Sequence, residues 1–335
     1  IPAMVPRIAK TTIDGSGTVD LSFTQASNLA YPFRVNGKVQ LNGVGITLPQ
    51  EPYLQNMSGP MLFEGTLMRV PSITFKSFDG TGALALNVNF AKEPLSYSYA
   101  FNLKNVSAQK AVDASIDAYV TTKNYSAYKD MLYGTLNLAY SGSGRGTTAD
   151  LMIASQAGTG SYNLVDARIK GVGAIKTINS IVKDKGDEIR FQKIEGALAM
   201  RNKVFSYTAT TTGKAGVLRE TGGINVDQMV YSPDMKIQCD LRKDVVDIEA
   251  VRNLLPPGIQ GYVKSIDFLA DDNGIVPLDV KFTGVVSENH YSWDRTRLES
   301  LAQKKIQKAA QQVIQQKASD VGKDLGSKLK GLFGK

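Results

Sequence analysis

A chain of 335 residues can carry one large domain or two modest ones. Its hydrophobic content of 42% is enough for a core and excludes wholesale disorder, while one cysteine and one histidine exclude an internal disulfide and argue against a zinc centre. The net charge is +8, and 31 glycines against 12 prolines, with abundant Thr, Tyr, Val and Ser, favour a β-rich protein with many turns.

The chain opens at Ile1 with no methionine and no signal-like apolar run, which reads as a mature product or a C-terminal fragment of something longer. No stretch is long and apolar enough for a transmembrane helix. In chain order, Phe33, Val35, Val39 and Leu41 share one face of a strand, with Arg34, Asn36, Lys38 and Gln40 on the other. Leu84, Leu86, Val88 and Phe90 repeat the pattern, followed by Tyr97, Tyr99, Phe101 and Leu103. Leu132, Leu136, Leu138 and Tyr140 alternate in the same way, as do Met235, Ile237, Cys239 and Leu241, which makes Cys239 a packing residue. Val276, Leu278, Val280 and Phe282 close the series. Weaker strand patterns lie at Thr18–Phe23, Pro60–Thr66, Thr148–Ala154, Gly160–Val165, Glu188–Ile194, Val204–Thr210 and Gly223–Tyr231. One apolar and one polar face per strand is the pattern of an antiparallel sheet. Turns are expected at Asp79-Gly80, Ser141–Gly146, Thr212-Gly213, Gly222-Gly223 and Asp272–Gly274.

Helical spacing is expected over Ser107–Tyr119, with Ser107 as cap, over Ile175–Lys183, and over Val245–Leu254 before Pro256-Pro257-Gly258. From about Trp293 the pattern changes to a long basic helix, interrupted at Gly322 and Gly326. Arg295–Lys335 holds ten Lys/Arg against three acids, so the rest of the chain is nearly neutral. Its apolar residues, Leu298, Leu301, Ile306, Val313, Ile314, Val321, Leu325, Leu329 and Leu332 among them, recur at spacings of mostly three or four. A basic helix with an apolar stripe suits an anionic membrane surface or a partner with the same needs, and equally suits docking on its own domain. The division expected is a β-rich domain over 1–291 and a C-terminal amphipathic helix over 292–335.

Reactive chemistry finds little support. His290 stands alone in Glu288-Asn289-His290-Tyr291, with no partner pattern for nucleophilic catalysis. Asp271–Gly274 lacks the alternating ligands and distal glutamate of a calcium loop and reads as a hairpin turn. Gly171-Val172-Gly173 has no phosphate-loop lysine, and the basic charge is not interleaved with aromatics as RNA-recognition surfaces are. The reading is therefore a protein that is not an enzyme, uses no cofactor or metal, and binds no nucleic acid.

The run IVPLDVKFTGVVSENHYSWD, Ile275–Asp294, resembles the closing strand of AsmA-family proteins, with a proline early in an apolar strand, then Thr283-Gly284, then a polar turn leading to Trp293-Asp294. The lysine-rich ending KDLGSKLKGLFGK is similar to their C-termini, and IRFQKIEGALAMRNKVFSYTATTTGKAGVLRETGGINVDQM looks like their strand–turn–strand block. The resemblance covers Leu132–Lys335, and residues 1–131 are compatible with it. AsmA-like and TamB-like proteins imply a periplasmic location behind an inner-membrane anchor, which would lie upstream of Ile1. They also imply a long curled β-sheet with a hydrophobic groove, a role in passing phospholipid between two membranes, and no catalytic residues.

The groove wall would then be Phe33, Val35, Val39, Leu41, Leu84, Leu86, Val88, Phe90, Tyr97, Tyr99, Phe101, Leu103, Leu136, Leu138, Val280 and Phe282. Membrane contact would fall to Trp293, Lys323, Leu325, Lys328, Leu329, Lys330, Leu332 and Phe333. The partners would be phospholipid and, through the C-terminal helix, a membrane surface or envelope protein. The same apolar faces could instead pack on each other as a closed sandwich core. Two other roles remain open: a scaffold for outer-membrane protein assembly, and a structural β-domain of the cell envelope.

Overall fold

A computed structural model describes residues 12–27, 31, 33–47, 52–119, 129–171, 173–183, 186, 188–288 and 290–333. The alternating stretches form strands β1 (Thr12–Gln25), β2 (Phe33–Thr47), β3 (Pro52–Gly65), β4 (Leu67–Ser77), β5 (Gly80–Asn89), β6 (Ser96–Ser107), β7 (Leu132–Arg145), β8 (Ala157–Lys170), β9 (Glu188–Arg201), β10 (Val204–Gly213), β11 (Gly216–Asn225), β12 (Val230–Tyr231), β13 (Lys236–Arg242), β14 (Ile275–Thr283) and β15 (His290–Asp294). They make one 15-stranded sheet whose order follows the chain from β1 to β15, with only β12 off the path as a side pair on β11. Every pairing is antiparallel, and the sheet does not close into a barrel. The mainly β, long antiparallel sheet with few helices is thus what the sequence folds into.

Two-residue hairpin loops with positive φ at both positions join β4 to β5 (Phe78, Asp79) and β9 to β10 (Asn202, Lys203), the twist that flanking strands favour. The first lies one residue before the expected Asp79-Gly80, because Gly80 already pairs with Ser77. Two other expected turns are corrected. Ser141–Arg145 continues β7, paired with β6 and β8, and Gly222-Gly223 lies inside β11, paired with Tyr207 and Ser206.

Helices occupy the connections. In α1 (Ala108–Tyr119), the Lys110 N–H donates to Ser107 Oγ at 3.4 Å, so Ser107 caps as its position suggests. Thr148–Ala154 is corrected from strand to helix α2 (Ala149–Ser155). Thr148 accepts from the Leu151 N–H and Asp150 sits in the first turn, so local capping overrides the apolar run Leu151-Met152-Ile153. Helix α3 (Gly173–Asn179) precedes a turn at Ser180–Ile181. Asp247 caps α4 (Ile248–Leu254) by accepting from the Glu249 and Ala250 N–H groups at 3.0 and 3.3 Å. The short helices α5 (Pro257–Gln260) and α6 (Ile266–Leu269) follow before β14.

Helix α7 (Thr296–Phe333) runs through Gly322 and Gly326 without interruption. Trp293 belongs to β15, opposite Val280, so the strand extends past the expected boundary at residue 292. The core lies at the C-terminal end of the sheet. There Leu164, Ile194, Leu218, Cys239 and Leu278 are covered by Ile178, Ile181, Val251, Leu255, Leu269 and Leu298. Val182 and Val246 form an isolated β-bridge that ties the segment after α3 to the one before α4, making a strap across that end.

Candidate functional site

Cross-strand register decides which side chains share a face, because directly opposed residues point the same way. Leu84, Phe101, Tyr140, Gly160, Leu198, Tyr207 and Gly222 stand opposite one another on successive strands from β5 to β11. A parallel row runs Leu103, Leu138, Tyr162, Gly196, Ala209, Glu220, Ile237, Val280 and Trp293, from β6 to β15. A third pairs Leu86, Tyr99, Gly142, Gly158 and Met200. On the other side, Gly37, Phe63, Met68 and Val88 are opposed in turn, which joins the face of Val35 and Val39 to that of Val88. The strand positions expected to line a groove therefore fall on one continuous face spanning about a dozen strands; Phe90 follows β5 and meets the Tyr31 ring edge-on at 6.2 Å.

Cover over this face is uneven. In β1, Val19 and Phe23, opposite Val39 and Val35, are 69% and 67% exposed. Phe33 is 47% exposed, and Val35, Val39, Leu41, Leu84, Leu86, Phe101, Leu103, Leu136 and Leu138 are half-buried. Val280 and Phe282, by contrast, are buried in the core beneath the C-terminal helices, and Trp293 packs against it. The face thus starts open at β1 and is plugged at β13–β15.

In its middle the floor is aromatic. Tyr97, Tyr99 and Phe101 stack along β6, with Tyr99 6.0 Å and Phe101 5.7 Å from the Tyr140 ring. These rings lie across neighbouring glycines: a Cβ on Gly142 would sit 2.9 Å from Tyr99 Oη, and one on Gly158 2.6 Å from Tyr140 Oη. The glycine-rich stretch of β7 therefore seats tyrosines. Burial, reinforced by Tyr140, pushes the Tyr99 hydroxyl up to about 12. At one end of the strands α2 touches this floor, with Tyr97 Oη donating to the Met152 carbonyl at 3.3 Å, while Leu151, Met152 and Ile153 remain 49%, 37% and 39% exposed. Sequence reading missed those three as a surface because consecutive apolar residues resemble a strand.

Glu220 interrupts the apolar row. Half-buried between Ala209 and Ile237, it accepts the Tyr207 hydroxyl proton at 2.5 Å. Burial raises its carboxyl above the ordinary value, and its proximity adds to the burial that pushes the Tyr162 hydroxyl to about 12. Cys239 is fully buried, and burial also raises its thiol. His290 is exposed at the start of β15, 3.8 Å from the Glu288 carboxylate. Among the described residues no group of three His, Cys, Asp or Glu is placed to hold a metal ion.

Two hollows are present. One, of about 490 Å³, is lined largely by Ala197, Ala199, Ser206, Thr208 and Thr221, which by register belong to the opposite face. The other is a cleft of about 1050 Å³ between β8–β11 and the strap, with Ala167, Phe191, Leu218 and Leu241 on one side and Ile178, Val182 and Val245 on the other.

Helix α7 is fastened at its base. Arg297 reaches Asp279 at 2.8 Å and Asp240 at 2.5 Å, Arg295 donates to the Leu254 carbonyl, and Leu298 and Ala302 have no exposed surface. From Gln307 to Val321 every residue is exposed, including Val313, Ile314 and Val321 at 53%, 67% and 59%. Lys323 is exposed as well. Leu325, Lys328, Leu329, Lys330, Leu332 and Phe333 continue the helix, and their side chains lie outside the described residues. Trp293 is the correction: expected at the membrane, it is held on β15 against the core because its register places it opposite Val280. Among the described residues no helix is long and apolar enough to cross a membrane. No family model, curated protein or solved structure matches the chain.

Proposed function

We propose that this protein is a non-enzymatic lipid-binding and lipid-transfer module of the bacterial periplasm, carrying phospholipid between the inner and outer membranes along the apolar face of its sheet. The observation that carries the reading is the continuous apolar face, half-exposed over β1–β7 and closed only at its C-terminal end. Acyl chains laid along it would bury surface worth about 25 cal/mol per Å² without any reacting group. The resemblance of Leu132–Lys335 to AsmA-like proteins points the same way. In this reading the free part of α7 meets an anionic membrane or an envelope partner through its exposed apolar residues and lysines.

The test is lipid retention. Protein purified from an envelope fraction is extracted, and co-purifying phospholipid is counted by native mass spectrometry. The expectation is bound lipid in the native chain and at least a tenfold loss in Leu86→Asp and Phe101→Asp, with β circular dichroism unchanged. Uptake that survives in the folded variants would sink the role of that face.

A second reading has an observation of its own. β1 is a 14-residue edge strand, exposed along nearly its whole length, with one side of its backbone unpaired among the described residues. Such an edge can accept a strand from a client protein during outer-membrane assembly. That reading predicts protein crosslinks along β1 in a lipid-free preparation.

A further inference from the structure

The cleft beneath the strap combines an apolar interior with a cationic mouth. Its floor belongs to the buried apolar cluster at the C-terminal end of the sheet, with Ala167 1% and Phe191 5% exposed. At about 1050 Å³ it stands at the upper end of the roughly 300–1,000 Å³ usual for small-molecule sites.

The mouth carries Arg168, Lys183, Arg190 and Lys214 against Asp166, Glu188 and Asp244. The acids are partly spent. Glu188 is shared by Arg190 at 2.8 Å and Arg168 at 3.6 Å, so two guanidiniums meet one carboxylate. Arg190, with Arg168 and Lys170 behind it, holds that carboxyl below its usual range. Asp244 is taken by both arms of the Arg242 fork at 2.6 and 3.0 Å, leaving Lys183 to donate to the Asp244 backbone carbonyl at 2.8 Å. Lys214, at the β10–β11 turn, is exposed and has no carboxylate partner among the described residues. Arg168 is held over the Tyr133 ring, 4.0 Å from its centroid, which fixes the guanidinium at the edge of the cleft.

We propose that this cleft binds an amphiphile with one acyl chain and an anionic head, carboxylate or phosphate, the chain lying on Phe191 and Leu218 and the head meeting Arg168 and Lys214. An apolar hollow with a net cationic mouth selects this chemistry: the chain leaves water, and the head gains charge-assisted hydrogen bonds that a zwitterion gains only in part. The proposal rests on the lipid-binding reading above and names the class of ligand taken at this end of the face.

The experiment titrates the full chain with oleate, oleoyl-lysophosphatidylglycerol and oleoyl-lysophosphatidylcholine, read by native mass spectrometry. The expectation is one tightly bound equivalent of each anionic ligand, at least tenfold tighter than the zwitterion. Arg168→Gln/Lys214→Gln should erase that preference, and Ala215→Trp, at the mouth, should weaken all three ligands. Lys214→Gln alone, at an exposed position, should lower the preference severalfold without disturbing the fold. Oleate and the phosphate ligand each support the site, and their relative affinity shows which head it takes. An equal affinity for all three ligands in the native chain, or a preference that survives the double variant, overturns the cleft. Failure of the wider reading looks different: Leu86→Asp and Phe101→Asp then leave phospholipid retention unchanged while the single anionic equivalent persists.

Discussion

Tyr207 donates its hydroxyl proton to Glu220 across 2.5 Å in the middle of an apolar face, with no cation bound to that carboxylate. The carboxyl is raised by burial first, and Tyr207 offsets only part of that cost. A raised acid keeps its proton in the folded state after the unfolded chain has lost it. Stability is therefore highest below the ordinary value of 4.5 and falls as pH rises from there through the raised one. Glu220→Gln, which can still accept from Tyr207, is expected to be more stable than the native chain by about 1–2 kcal/mol at neutral pH. The difference should vanish below pH 4.5. Urea midpoints at the two pH values check it, and an unchanged gap would show that Glu220 is solvated.

The rings over the β7 glycines make a steric prediction. Gly142→Val places a Cβ 2.9 Å from both Tyr99 Oη and the Ala157 carbonyl oxygen, so ring or strand must shift. The expected loss is about 1–3 kcal/mol in chemical denaturation. Gly258→Ala, with nothing within 4 Å, is the matched control and should change stability by less than about 0.5 kcal/mol.

Arg297 ties α7 to two strands at once. Removing it leaves Asp279, 4% exposed, without its guanidinium partner. Arg297→Ala is expected to cost about 2–4 kcal/mol, with part of the loss returned by Asp279→Asn in the same chain. A cycle of the four proteins in guanidinium chloride measures this, and simple additivity would mean the pair is not coupled.

Truncation of α7 has to respect its base. Removal of residues 295–335 would take Leu298 and Ala302 out of the core, whereas ending the chain at Ile306 removes only the exposed length. The shorter chain should keep its unfolding midpoint and lose binding to anionic vesicles severalfold more than to neutral ones at low salt. Equal loss on both would remove the lysines from the account.

The sheet was legible in the sequence because alternate apolar residues need a half-buried strand, and Leu84–Phe90, Tyr97–Leu103 and Val276–Phe282 say so directly. The ends of strands were harder to read. Bulges near Asn105 and Asp166, both at positive φ, let residues three apart such as Leu164 and Ala167 bury together, which breaks the two-residue period. Glycines at 142 and 144 looked like a turn because their purpose, making room for Tyr99 and Tyr97, is visible only across strands. The plug was missed for a similar reason. Residues 248–270 are short helices with no period of their own, and what places them is contact with Cys239, Leu241 and Leu278. The cleft's cations lie far apart in the chain, from Arg168 to Lys214, and only the β8–β11 register brings them together.

Almost every strand binds the one that precedes it in the chain, so growth of the molecule is a matter of counting. Inserting or deleting one hairpin between β2 and β8 would lengthen or shorten the array by about 9.6 Å, twice the strand spacing, without altering any other neighbour relation. Assembly can follow the same logic, each new ribbon zipping onto a finished edge as synthesis proceeds, at the low entropic expense of closing short loops. Such an architecture can be fitted to the distance it has to span by repetition alone.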